Sequence, residues 1–289
     1  MAVLQYEHTK GQDDFDLVSW VLNNHHYDQH APLYIDPDHP SRCLTAAEVR
    51  CLVKRLIAGL KAAGLQEGDV VCLNAFNDVS TRLHTARAFS QPHHLLTKSL
   101  YGAFSLTFNK QIYYPALLLA VIGAGGIYTG CNPSYIGTEI ARLIESTKAR
   151  FVISDVTLIS KIADEVLNFR LPATIKVIQF NPHGEELLPG FASWQDLQSH
   201  GEAPWITFAS QEEAKTTTAA LLTTSGTSGM PKYAMHSHQN FIAQTMALDD
   251  TDRKPYQVRP PDPVAYVLAN LVRSLVSSPF PSFTLSPFL

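Results

Sequence analysis

The sequence predicts an α/β protein built on a mainly parallel sheet flanked by helices. Two observations carry that expectation. Helical stretches with one apolar face alternate with short apolar runs, and turns rich in Gly and Asp separate them. A third removes a competitor, because no internal repeat of solenoid period is present.

The first clear element opens at Thr45. Thr45-Ala46-Ala47-Glu48 has capping-box spacing, with Thr45 as N-cap and Glu48 three residues on. Val49, Leu52, Val53, Leu56, Ile57 and Leu60 then fall on one helical face, with Arg50, Lys54, Arg55 and Lys61 opposite. Gly64 is a natural stop, and the turn Gln66-Glu67-Gly68-Asp69 leads into a short buried strand at 70–73. Further on, helices are predicted at 138–147 and 156–169, and strands at 151–154, 174–180 and 217–223. Residues 181–215 read as polar and irregular.

The stretch Ile112 to Ile127 is mostly apolar, and no charge falls between Gln111 and Thr138. A membrane span would need about 20 consecutive apolar residues. Pro115 and the cluster Gly123, Gly125, Gly126 favour a buried helix, a glycine turn and a short strand instead.

The bulk numbers are those of a globular chain: 289 residues, 45% apolar, 17% charged and a net charge of −4. That charge exerts no pull toward nucleic acid, and no basic, aromatic-interleaved patch appears. Cys43, Cys51, Cys72 and Cys131 have neither CxxC nor metal-ligand spacing, which suits reduced thiols in an intracellular protein. The opening residues lack the apolar core of a secretory signal. His236 and His238 form a His-x-His pair with no Asp, Glu or Cys suitably close, so no metal site is expected. No Gly-x-Ser-x-Gly elbow supports a hydrolase.

The chemistry concentrates in Thr223 to Lys232, Thr-Thr-Ser-Gly-Thr-Ser-Gly-Met-Pro-Lys, directly after a β-like run. Gly226 and Gly229 let backbone N–H groups approach an anion closely. The hydroxyls of Thr223, Thr224, Ser225, Thr227 and Ser228 can donate to phosphate oxygens or help hold Mg²⁺. Pro231 stiffens the exit, and Lys232 supplies a point charge suited to phosphate. Met230 and Pro231 separate Gly229 from Lys232, so this is not a Walker A loop. By composition alone a Ser/Thr/Gly linker is the competing reading.

The order of residues resembles the signature of the adenylate-forming (AMP-binding) superfamily. Ser225-Gly226-Thr227-Ser228-Gly229-Met230-Pro231-Lys232 is followed by Ser237-His238-Gln239-Asn240, where that family carries Ser-His-x-Asn. Tyr233 stands where the family usually has Gly. Leu44 to Leu73, Leu117 to Ile140 with Cys131-Asn132-Pro133, and Phe151 to Asp155 extend the likeness across residues 30–78 and 112–257. It is nearest to the 4-coumarate/acyl-CoA ligase branch of fungal type. The resemblance implies part of the large N-terminal domain of such a ligase, with ATP, Mg²⁺ and CoA as cofactors and a small carboxylic acid as substrate. It implies MgATP-dependent formation of an acyl-adenylate, then a thioester, with the loop gripping the β- and γ-phosphates.

By the same likeness, residues 1–29 form an N-terminal arm, 30–257 a partial adenylation domain and 258–289 a divergent tail. The family's adenine-, ribose- and acyl-site motifs and its small C-terminal domain with a catalytic Lys are not found. A truncated chain is therefore expected, either an incomplete ligase or a non-catalytic nucleotide- or pyrophosphate-binding fragment, and its catalytic residues cannot be named. Residues 79–111 interrupt the domain without clean periodicity and are expected to loop out from the core. As a hypothesis, this insert and the tail are translated introns: Val79-Ser80 and Val276-Ser277 can be encoded by a 5′ splice sequence, and Gln111 by a 3′ one. A genuine insertion is the alternative, and transcript reads spanning the insert as coding message would sink the intron idea. The compartment stays open between cytoplasm and peroxisome, the chain ending Ser-Pro-Phe-Leu.

Overall fold

The computed structural model describes residues 15–23, 28–36, 39, 41–75, 112–167, 172, 174–224 and 232–251. The insert at 79–111, the tail from 258 and loop residues 225–231 lie outside these, so the expectations placed on them do too.

In chain order the helices are α1 (Leu17–Leu22), α2 (Ala46–Ala62), α3 (Tyr114–Gly123), α4 (Gly137–Thr147), α5 (Val156–Leu167), α6 (Gln211–Thr216) and α7 (His238–Thr251). The strands are β1 (Pro32–Ile35), β2 (Cys43–Thr45), β3 (Val70–Asn74), β4 (Ile127–Gly130), β5 (Ala149–Asp155), β6 (Lys176–Phe180), β7 (Ala192–Ser193), β8 (Thr218–Thr224) and β9 (Lys232–Ser237).

β1 and β2 pair antiparallel as a small ribbon. Among the described residues the rest make one seven-stranded sheet, ordered β7-β6-β5-β3-β4-β8-β9. Every neighbouring pair in it is parallel except β8 with β9. The mainly parallel α/β expectation is met.

The pleat explains why these strands are so apolar. Val71, Leu73, Phe151, Ile153, Ile178 and Phe180 face one core, completed by Leu17, Leu56, Leu117 and Phe241 from α1, α2, α3 and α7. Val70, Cys72 and Val152 face a second core with Ile140 of α4 and Ile162 of α5. A strand buried on both faces favours a run of apolar residues, and all five residues of β3 are buried, Val70 to Leu73 apolar and Asn74 donating to the Ser154 hydroxyl at 3.3 Å.

The helices follow local signals. At the start of α2 the Glu48 N–H donates to Thr45 Oγ1 at 3.2 Å, and the Thr45 N–H donates to Glu48 Oε2 at 2.8 Å, closing the predicted capping box. Glu48 acidifies accordingly, its pKa lowered first by the bond from the Thr45 backbone. On its inner side α2 meets a 3-10 turn at Asp196–Ser199 so closely that a Cβ on Gly59 would lie 2.0 Å from the Leu197 carbonyl oxygen. Glycine is required there by contact rather than by conformation.

All ten residues of α3 are buried, with Pro115 in its first turn where no intrahelical donor is lost. At about 1.5 Å per residue the helix spans roughly 15 Å, half a bilayer core. No described helix is long and apolar enough to cross a membrane. Its all-round apolarity reflects burial between α2 and the sheet.

The segment expected to be irregular, 181–215, contains β7, the 3-10 turn and α6. Side chains rather than periodicity organise it. Gln179 of β6 donates through Nε2 to the Glu186 carbonyl at 2.6 Å and accepts the Leu188 N–H at 2.9 Å. Ser193 Oγ donates to Asn181 Oδ1 at 2.9 Å.

Candidate phosphate-binding site

From β3 the chain crosses to β4 on one side and then to β5 on the other, with α3 and α4 on opposite faces of the sheet. Such a reversal opens a crevice beyond the carboxyl ends of the strands, the usual ligand position in open α/β sheets. β8 lies next to β4 and ends at Thr224, so the Thr- and Ser-rich loop leaves the sheet beside that crevice.

The antiparallel pair β8–β9 sets the loop's ends opposite each other. Thr223 pairs with Tyr233 and Thr224 with Lys232. Thr224 Oγ1 donates to the Lys232 carbonyl at 3.1 Å, closing the hairpin from the side-chain side as well. That hydroxyl has spent its proton on the backbone, so toward a ligand it offers oxygen lone pairs. This donor set fits a hard cation such as Mg²⁺ better than it fits donation to phosphate. Lys232 is exposed and forms no ion pair with any described carboxylate.

Of the predicted loop residues, the structure thus brings Thr223, Thr224 and Lys232 together at one hairpin mouth. Ser225, Gly226, Thr227, Ser228, Gly229 and Pro231 lie outside the described residues.

The neighbouring loop is built with equal care. After β4, the Cys131 N–H donates to the Leu73 carbonyl at 2.9 Å, and Thr129 Oγ1 donates to the Leu221 carbonyl at 3.0 Å, tying β4 to both its neighbours. Asn132 Oδ1 accepts from the Ser134 N–H and from its hydroxyl, both at 2.9 Å, forming a side-chain turn. Lys161 of α5 reaches across to donate to the carbonyls of Pro133 and Tyr135, each at 3.0 Å. Behind the strand end, Gly130 leaves room for Tyr128, whose hydroxyl would be 2.5 Å from an added Cβ.

Tyr233 is half-buried against the second core, against which Tyr135 also packs. Burial first, and the Tyr135 phenol next, raise its pKa. Neither Lys161 nor Tyr135 carried a sequence signal, since nothing in their spacing marks a shared loop.

Ser237-His238-Gln239-Asn240 proves to be an architectural element. Ser237 caps α7: Asn240 Oδ1 accepts its N–H and its hydroxyl at 3.0 Å each, and the Asn240 N–H donates to Ser237 Oγ at 3.3 Å. His238 is buried, with its Nδ1 accepting the Leu17 N–H at 3.1 Å and Phe208 packed edge-on 4.7 Å from its ring. Burial pushes its pKa down to about 4, so the ring is neutral with the proton on Nε2.

A mainly parallel sheet with a hydroxyl- and lysine-lined hairpin mouth at its carboxyl edge makes this an α/β protein with a candidate anion site. The AMP-binding enzyme family model matches residues 104–273, more than half of the chain, and the chain belongs to that family. A phenylacetyl-CoA ligase (epaB) of Aspergillus niger is 33% identical over 244 residues, covering 84% of this chain and 39% of its own length. The structure of the anthranilate CoA ligase AuaEII in complex with anthranoyl-AMP is similar with a TM-score of 0.60 at 17% identity, over 81% of this chain and 37% of that one. ATP-bound MatB from Rhodopseudomonas palustris is similar with a TM-score of 0.55 at 22% identity, over 82% of this chain and 37% of that one. This chain spans about 40% of the length of the curated relatives it matches.

Proposed function

We propose that this chain supplies the triphosphate-gripping part of an acyl- or aryl-CoA ligase. In that reaction a carboxylate attacks the α-phosphorus of ATP, the α–β phosphoanhydride bond breaks, and an acyl-adenylate and pyrophosphate form. CoA thiol then displaces AMP. The observation that carries this reading is the pairing Thr224–Lys232, which sets a lone-pair oxygen and an ammonium at the two ends of one loop beside the sheet's crevice. Bound Mg²⁺ would neutralise phosphate charge. Thr224 Oγ1 is an oxygen able to face it, and Lys232 holds the departing pyrophosphate by charge without moving a proton.

Membership of a family whose enzymes use ATP supports the nucleotide, and the phenylacetyl-CoA ligase relative supports an aromatic or acyl acid. A second reading is a non-catalytic nucleotide- or pyrophosphate-binding unit, which needs only the oxygen and ammonium of the Thr224–Lys232 pair. ATP–pyrophosphate exchange across a panel of aryl and acyl acids, with pyrophosphate binding measured in parallel, separates them. Exchange with at least one acid supports the ligase, and binding without exchange supports the binding unit. Absence of both sinks both.

A further inference from the structure

We infer that Tyr233 is a positioning residue for the phosphate site, coupling the grip of Thr224 and Lys232 to the loop at Cys131–Ile136 on the far side of β8. This inference rests on the phosphate-binding reading above.

The argument starts from register. Side chains alternate along a strand, so Lys232 and Tyr233 point to opposite faces of the sheet. Turning β9 by one residue would exchange them. The Tyr233 ring is the feature that resists such a slip, because it is packed against the second core while Lys232 stays exposed. The neighbours on the same face do little to help. Met235, two residues along, is 74% exposed. Tyr233 therefore anchors the start of β9 almost alone on that face, directly opposite Thr223.

The core that holds the anchor also holds a loop fixed from elsewhere. Tyr135 packs against that same core, and Lys161 grips the carbonyls on both sides of Ser134. The path runs from Lys161 to the Tyr135 loop, through the shared second core to Tyr233, and through the backbone to Lys232, the kind of contiguous network through which modest coupling energies pass.

The test uses the 289-residue chain with magnesium pyrophosphate as the probe, by calorimetric titration, and thermal melting without ligand as the control. Tyr233→Ala is expected to weaken binding about tenfold, and Lys161→Met to weaken it by a similar factor, with Tyr233→Phe within about twofold of the parent. The double variant Tyr233→Ala/Lys161→Met is expected to bind no worse than the weaker single variant. Two independent structural losses would instead multiply. If Tyr233→Ala does not fold, Lys161→Met decides alone, since parental affinity in a folded Lys161→Met protein overturns the coupling. Parental affinity in Tyr233→Ala, or multiplicative losses, overturns it while leaving the phosphate site standing. No pyrophosphate binding by the parent chain overturns the phosphate-site reading, and this inference with it.

Discussion

The Leu17 N–H donates to His238 Nδ1 at 3.1 Å, joining the first helix to the residue that follows the β8–β9 hairpin, 221 positions away. An N–H at the first turn of a helix has no intrahelical acceptor, so this bond satisfies a donor that would otherwise be buried without a partner. It also dictates the protonation state of His238, because a ring nitrogen that accepts cannot carry a proton.

A pH dependence follows. The folded pKa of about 4 lies below the ordinary 6.5, so above pH 6.5 the ring is neutral in both states and costs nothing. Below that, the unfolded chain binds a proton the folded one refuses, and stability falls until about pH 4. The loss attributable to this residue is on the order of 3 kcal/mol. Urea unfolding of the parent and of His238→Gln at pH 7.5, 6, 5 and 4 measures it. The gap between the two proteins should narrow by that amount on acidification, and a constant gap would refute the assignment.

Lys232 is exposed and without an ion pair among the described residues, so its removal should be silent in the free protein. Lys232→Ala is expected to change unfolding free energy by less than about 0.5 kcal/mol. Magnesium pyrophosphate binding should drop by about 2 kcal/mol, roughly thirtyfold, because a charge-assisted contact is lost. Calorimetry of the two proteins at one ionic strength checks this.

Tyr114 and Tyr128 share a buried hydroxyl pair, oxygen to oxygen 3.0 Å, with burial pushing both phenols well above the usual range and keeping both neutral. Tyr114→Phe strands the Tyr128 hydroxyl, at an expected cost of about 1–3 kcal/mol. The double change Tyr114→Phe/Tyr128→Phe should cost less than the single one, since no buried polar atom is then left over. A larger loss in the double variant, by urea unfolding, would contradict the pairing.

The thiols divide by burial. Cys51 is exposed, whereas Cys72 and Cys131 are buried, and Cys131 together with burial pushes the Cys72 thiol up. A thiol-reactive dye at pH 8 is expected to label Cys51 in the native protein and Cys72 and Cys131 only on unfolding. Mass mapping of the labelled peptides reads the outcome.

Much of this was legible beforehand because burial writes periods into sequence. The helix at 46–62 announced itself through one apolar face and a side-chain cap, both local features. β3, β5 and β6 were legible because a strand covered on both faces is mostly apolar, its buried polar residues falling toward the carboxyl end. Other elements carried no such mark. α1 has six residues, too few to show a period, and β7 has two. α7 buries His238, Phe241, Ile242 and Thr245 on its inner side, and a face half polar looks like no face at all. The irregular stretch after β6 takes its shape from Gln179 and Ser193, whose partners are not periodic.

The loop at Thr223 to Lys232 shows the same division. The order of its hydroxyls, glycines and lysine is covalent chemistry, so sequence alone determined the family it resembles and the ligand class it suits. That Thr224 spends its proton on the Lys232 carbonyl, that Ser237 and Asn240 build a helix cap, and that Tyr233 packs against the second core were decided only by tertiary structure. Each depends on which strand lies next to which. Sheet order is set by long-range packing between segments up to a hundred residues apart or more, and no local pattern encodes it.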